Sequence, residues 1–221
     1  MARYRDRGAA GARRWGGRGV KQTAALVMLL NLSVAGCGFS LAPTPDPTAF
    51  YVLSPIDHAD TPPSQSTLRV GIGPISLPEY TAETKIARRS GEASIDYIPL
   101  AQWAEPVEEG FSRALMQNLI SRIGSPYVVR YPWYATQDAM LAVPVDVVRF
   151  EPTTDGRAVL VARWRIEDAL TRRLLVSHES RIEEPVGGHD TAATVAALNR
   201  AIDRLAADIA RAIADVPRKK R

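Results

Sequence analysis

The sequence holds one cysteine, three histidines and no apolar run long enough to cross a bilayer. A lone cysteine allows no internal disulfide, so packing alone must hold the fold. His58, His178 and His189 lie far apart with no cysteine or close carboxylate at ligand spacing, which argues against a metal site. No Gly-x-Ser-x-Gly elbow occurs. Gly71 and Gly73 are followed by Pro74 and Leu77-Pro78, not by the Gly-Lys-Ser/Thr turn into a helix that a phosphate loop needs. Glu105, Glu108 and Glu109 flank a helix start, where carboxylates complement the dipole more simply than they make a paired acid site. Nothing in this inventory supports catalysis, and no metal or diffusible cofactor is expected.

What is present gathers around Cys37. Arg3, Arg5, Arg7, Arg13, Arg14, Arg18 and Lys21 precede an apolar run, Ala24 to Leu32, and Val34-Ala35-Gly36 leads into the cysteine. Including the small residues, the apolar stretch is about a dozen residues, short of the ~20 that span a bilayer. A positive start, a short apolar run and small residues make a secretory signal. Ending it at Val-Ala-Gly-Cys resembles a bacterial lipobox, which implies cleavage between Gly36 and Cys37 and covalent lipid on Cys37. Several acyl chains anchor stably where one does not. In Gram-negative lipoproteins an aspartate after the cysteine marks retention at the inner membrane. Residue 38 is Gly, so the expected address is the periplasmic face of the outer membrane.

The leader also carries the charge. The chain has 28 basic and 24 acidic residues; residues 1–37 hold 7 and 1 of these, leaving 21 and 23, a net of −2. The inference from basicity to nucleic acid therefore lapses. Pro217 to Arg221 is a basic cluster that reads as a solvated tail, the alternative being contact with anionic headgroups.

Four stretches follow: a signal peptide (1–36), the cysteine and a proline-rich tether (37–49), one folded domain (50–214) and the tail (215–221). Phe50 to Leu53 and Leu68 to Ile75 read as strands, the second with Leu68, Val70 and Ile72 on one face. Gly71 and Gly73 line its other face, where a helix or backbone can approach closely. Ile95 to Ile98 is a short strand. Val107, Phe111, Leu115, Leu119 and Ile123 recur every four residues, predicting a helix that Gly124 ends. Strands are predicted at Tyr127–Arg130, at Val143–Glu151 with a bulge at Val147-Val148, at Val159–Glu167 and at Leu174–Ile182. A second helix is predicted from Thr191 to Ala214, with Val195, Leu198, Ile202, Leu205 and Ile209 buried and Arg200, Arg204 and Arg211 on the other side. The fold class is α/β, a single domain with a mixed β-sheet and two main helices packed on it.

Trp164 reads as core filling and His178 as a half-buried strand histidine. Tyr131, Trp133 and Tyr134 cluster where a strand leaves for a loop, so they are the candidate partner-binding residues.

Several motifs occur in order. They are Phe50-Tyr51-Val52-Leu53-Ser54-Pro55, Val70-Gly71-Ile72-Gly73-Pro74-Ile75-Ser76-Leu77-Pro78-Glu79-Tyr80 and Trp103-Ala104-Glu105-Pro106 before Glu109-Gly110-Phe111. Tyr131-Pro132-Trp133 and Ala162-Arg163-Trp164 follow. Together they resemble the ABC-type transport auxiliary lipoproteins of the PqiC/YmbA kind, over about Cys37 to Ala214. Ala82 to Lys85 departs from the family pattern. The resemblance implies an α/β sandwich and a non-enzymatic periplasmic component. It implies as partners an MCE-domain protein that spans the periplasm and its inner-membrane transport system, a lipid-like cargo and a homo-oligomeric ring. An envelope lipoprotein that braces or regulates cell-wall synthesis is the alternative; a periplasmic hydrolase has no residues behind it.

Overall fold

The computed structural model describes residues 46–58, 66–133 and 139–217. Gly36, Cys37, most of the tether, Tyr134 and the tail from Arg218 lie outside the described residues. The described residues from Pro47 onward form one compact body.

Its strands are β1 (Ala49–Tyr51), β2 (Val70–Ser76), β3 (Lys85–Arg89), β4 (Ile95–Trp103), β5 (Val128–Arg130), β6 (Leu141–Pro152), β7 (Arg157–Asp168) and β8 (Leu174–Pro185). The helices are α1 (Val107–Ile123) and α2 (Thr191–Asp215), with a 3-10 turn at Glu79–Thr81. The body is α/β with two main helices, and its strands form two sheets. One has the order β5-β2-β6-β7-β8, the other β1-β4-β3. A parallel bridge between Arg89 and Thr153 brings β3 alongside the end of β6.

In the larger sheet, β2 pairs parallel with β5 and β6, and β7 runs antiparallel to β6 and β8. The predicted bulge occurs: register shifts between Val147 and Arg149. That shift lets Val145, Val147 and Phe150 all face the helices, opposite Trp164, Ala162 and Leu160. Glu179, Arg181 and Glu183 are spaced along β8, where charge disfavours pairing of a free edge with another chain.

α1 starts after Pro106 and stops at Gly124, whose φ of 65° suits glycine. Val107, Phe111, Leu115 and Leu119 are buried as the four-residue recurrence predicts. Phe111 meets Phe150 edge-to-face at 5.2 Å, tying α1 to the sheet. In α2, the Asp190 carboxylate caps the Ala193 amide at 2.8 Å, and Val195, Leu198, Ile202, Leu205 and Ile209 are all buried. Arg200 and Arg204 lie on the outer side within ion-pair reach of Glu184 of β8, Arg204 remaining exposed.

Both helices run antiparallel to β2 and β6. The first turn of α1 stands beside Gly73–Ile75, at the end of β2, and Ser125, just past α1, donates to the Leu68 carbonyl before β2. Along α2, Arg200 pairs with Glu184 and Asp208 with Ser180, so the helix passes back up β8. The sheet thus has one end where both helices begin and one where both finish.

The segment after β1 corrects the expected strand at Phe50–Leu53. Pairing stops at Tyr51. The chain then leaves the sheet as a strap along both helices. Leu53 is 1% exposed and packs on Gly110 of α1. Ser54 and Ile56 donate their amides to Asn199 of α2 (3.1 Å) and Asn118 of α1 (2.9 Å). His58 Nε2 lies 2.8 Å from Asp203 Oδ1. Leu53 gains more from burial in the helix groove than one further strand residue would.

Candidate functional site

Gly71 and Gly73 explain the aromatic corner. What lies nearest to each is an aromatic side chain, not the helix or backbone expected. A Cβ on Gly71 would lie 2.7–2.9 Å from three atoms of the Trp133 ring, so the indole rests directly on the strand. Gly73 has a φ of 113°, and a Cβ there would lie 2.8 Å from the Tyr131 Cβ. Tyr131 and Trp133 then meet edge-to-face at 5.5 Å. The chain leaving β5 is thereby pinned against β2, and the peptide bonds before Pro74 and Pro132 are both cis.

Trp133 is half-buried, and Tyr131 is 53% exposed. The two predicted contact residues are thus adjacent but different: the indole packs on the sheet, and the phenol stands in solvent. Tyr134, the third, lies outside the described residues. Beside Tyr131 a cleft of about 160 Å³ opens between the first turns of α1 and the end of β2. Pro74, Ile75, Ser112, Glu108 and Glu109 line it. Arg130 closes one side through a 2.7 Å ion pair to Glu109. The cleft presents an aromatic edge, apolar strand residues and two carboxylates, a surface suited to protein contact. Sequence reading assigned Glu108 and Glu109 to the helix dipole alone; the partner of Glu109 is 21 residues away, and no local pattern signals it.

A second cluster has no signature in the sequence. Glu151 is fully buried, where an unpaired carboxylate would be strongly disfavoured. Arg89 and Arg149 bond its Oε1 at 2.7 and 2.9 Å, and the Tyr80 hydroxyl donates to Oε2. Burial, with the hydrogen bond to Glu151 adding to it, pushes the Tyr80 phenol up to about 12. The cluster sits where β3 meets the end of β6, so it joins the two sheets. Tyr80 is the last residue of the Val70–Tyr80 motif; no motif marks its carboxylate partner.

Other expectations resolve individually. Trp164 is a core residue at 2% exposure, its indole donating to Ser180 at 3.0 Å. His178 is exposed rather than half-buried, lying 5.3 Å from the Trp164 ring. Strand position on the outermost β8 accounts for this, because only one neighbour flanks it. Glu105 pairs with Arg113 at 2.7 Å, whose hydrogen bond holds the carboxyl below its usual value. Among the described residues there is no group of three or more metal-ligating side chains, and no helix is long and apolar enough to cross a membrane.

The architecture, two helices on a mixed sheet with a small second sheet, is a known one. A solved structure of an uncharacterized protein superposes with a TM-score of 0.62 at 19% identity, covering 75% of this chain and 98% of its own. A crystal structure from Xanthomonas campestris gives 0.59 at 18% identity, covering 74% and 93%. None of the curated proteins matches the chain. These likenesses define the fold class. The family follows from the sequence model of the ABC-type transport auxiliary lipoprotein component, which matches residues 51–210. The chain belongs to that family, so it is an auxiliary lipoprotein component of ABC-type transport.

Proposed function

We propose that the protein is a non-enzymatic lipoprotein anchored through Cys37 to the periplasmic face of the outer membrane, where it docks an MCE-type bridge carrying lipid between membranes. The observation that carries this reading is the family match over residues 51–210. Gly36-Cys37-Gly38 and the proline-rich residues after them support the anchor. Tyr131, Trp133 and Tyr134, with the cleft lined by Glu108 and Glu109, are the proposed contact surface. Exposure of Tyr131 beside a preformed cleft suits docking, because a rigid aromatic loses little entropy on binding. The partners are the MCE-domain protein and its inner-membrane transport system, and several copies form a ring around the bridge.

A photo-crosslinking residue in place of Tyr131 tests this in intact cells. The expected adduct contains an MCE-domain protein, and Glu108→Lys with Glu109→Lys weakens it. Repeated recovery of a cell-wall synthase, or of no MCE partner, would transfer the protein to the cell-wall alternative.

A further inference from the structure

One end of the larger sheet carries chemistry that docking at the aromatic corner does not use. It is the end where both helices finish. The backbone places a row of residues across it: Val70 donates to the Tyr127 carbonyl, Met140 to that of Arg69, and Ala169 to that of Met140. Leu174 opens the neighbouring β8. The row Tyr127, Arg69, Met140, Leu170, Leu174 therefore crosses the sheet end, about 20 Å at 4.8 Å per strand.

Its apolar members point into solvent. Leu170 is 72% exposed and Met140 59%, with Leu174 and Tyr127 about half exposed. Arginines stand among them: Arg172 and Arg173 in the exposed β7–β8 turn, and Arg69 with its guanidinium over the Tyr127 ring at 5.7 Å. The acidic groups at this end are largely engaged. Arg165 and Arg172 hold Glu167, and Asp168 accepts from Leu170, Thr171 and the Thr171 hydroxyl within its own turn. Helix α2 also ends here, with Val216, just past its last turn, packed against the core.

We infer that this end is a second membrane contact, seating its aliphatic side chains in an anionic lipid surface while the arginines meet phosphate. Aliphatic residues bury in the interface, and each nearby Lys or Arg is worth about fivefold in partition to anionic bilayers. The chain enters the body from the opposite end of the strands, which raises the question of reach. Extended, residues 38–48 cover about 34 Å. β6 is about 30 Å long between Phe150, level with β1, and Leu141. A lipid on Cys37 therefore leaves this end free to touch the same bilayer.

The test uses the full protein with an environment-sensitive fluorophore on Leu170→Cys, or on Ala192→Cys at the other end as a control. It is added to vesicles of phosphatidylcholine with or without phosphatidylglycerol, some carrying spin-labelled acyl chains. Acylation of Cys37 is read separately by mass, so failure of the anchor is distinguishable from failure of the contact. The expected result is quenching at position 170 but not at 192, only with phosphatidylglycerol. It should weaken about fivefold per arginine in Arg172→Gln and Arg173→Gln. No quenching at 170, equal quenching at both positions, or indifference to both arginine variants overturns the inference. So does complete loss on deleting residues 218–221 alone, which assigns the contact to the tail. Shielding at 170 that appears only when a protein partner is added makes the surface a protein interface and likewise overturns it.

Discussion

Gly71 has no side chain because Trp133 occupies the space one would need. Gly71→Ala sets a methyl within 3 Å of three ring atoms, and the indole must move off the strand. The expected cost is about 1–3 kcal/mol, with a shift in tryptophan fluorescence. Trp133→Leu, which relieves the clash, should restore part of the loss when added; denaturant titration of the single and double variants checks it. Tyr80 makes a different prediction. Its folded value of about 12 lies above the ordinary tyrosine value near 10. The group's contribution to stability is therefore complete below pH ~10 and is lost as pH rises towards ~12. Tyr80→Phe removes the hydroxyl that serves Glu151 and the Phe150 amide, and should lower stability by about 1–2 kcal/mol. It should also flatten the alkaline limb of the stability curve. These residues show how far the sequence could be read. The paired glycines signalled a close approach, but what approached came from a loop 60 residues on. Tyr80 lay in a legible motif, while Glu151 looked like an ordinary strand carboxylate until the two sheets met over it.

At the level of elements, the helices and long strands were legible because each buries a regular stripe, and the observed α1 keeps its predicted bounds. The strap was not. Phe50 to Leu53 reads as a strand by composition, yet the chain leaves its neighbour after Tyr51 to fill the groove between α1 and α2. Only the tertiary position of Leu53, Asn118, Asn199 and Asp203 specifies that choice. Asp203 holds the far end of the strap. Burial raises its carboxyl, but the hydrogen bonds from Arg122 and His58 outweigh that and hold it below the ordinary range. The contribution is thus present above the unfolded value near 3.9 and disappears as pH falls through the lower folded one. Asp203→Asn is expected to cost about 1.5–3 kcal/mol at neutral pH and little in strong acid. Chemical denaturation across pH, with hydrogen exchange at Ser54 and Ile56, measures both the loss and the release of the strap.

For the whole molecule, the proposed attachment and the proposed docking are separable. Cys37→Ser should release the protein from the membrane fraction into the soluble periplasm without changing its unfolding curve, because the body begins at Pro47. Fractionation and thermal melting read the two properties independently; retention on the outer membrane would show that lipid on Cys37 is not the main tether. The charged and aromatic surfaces identified above belong to the body alone and should survive this change.

The strap gives the molecule a mechanical character. Its backbone continues directly from β1, and β1 lies parallel to β4 with Ala49, Phe50 and Tyr51 in register against Ala101, Gln102 and Trp103. A load drawn along that strand from its N-terminal side stresses these bonds together rather than peeling them one by one. Behind them stand Leu53 in its groove, the Arg113 bond to the Leu53 carbonyl and the Asn199 and Asn118 contacts. Tension on the chain ahead of β1 is thus resisted in shear, by a series of attachments to both helices, before it reaches the larger sheet.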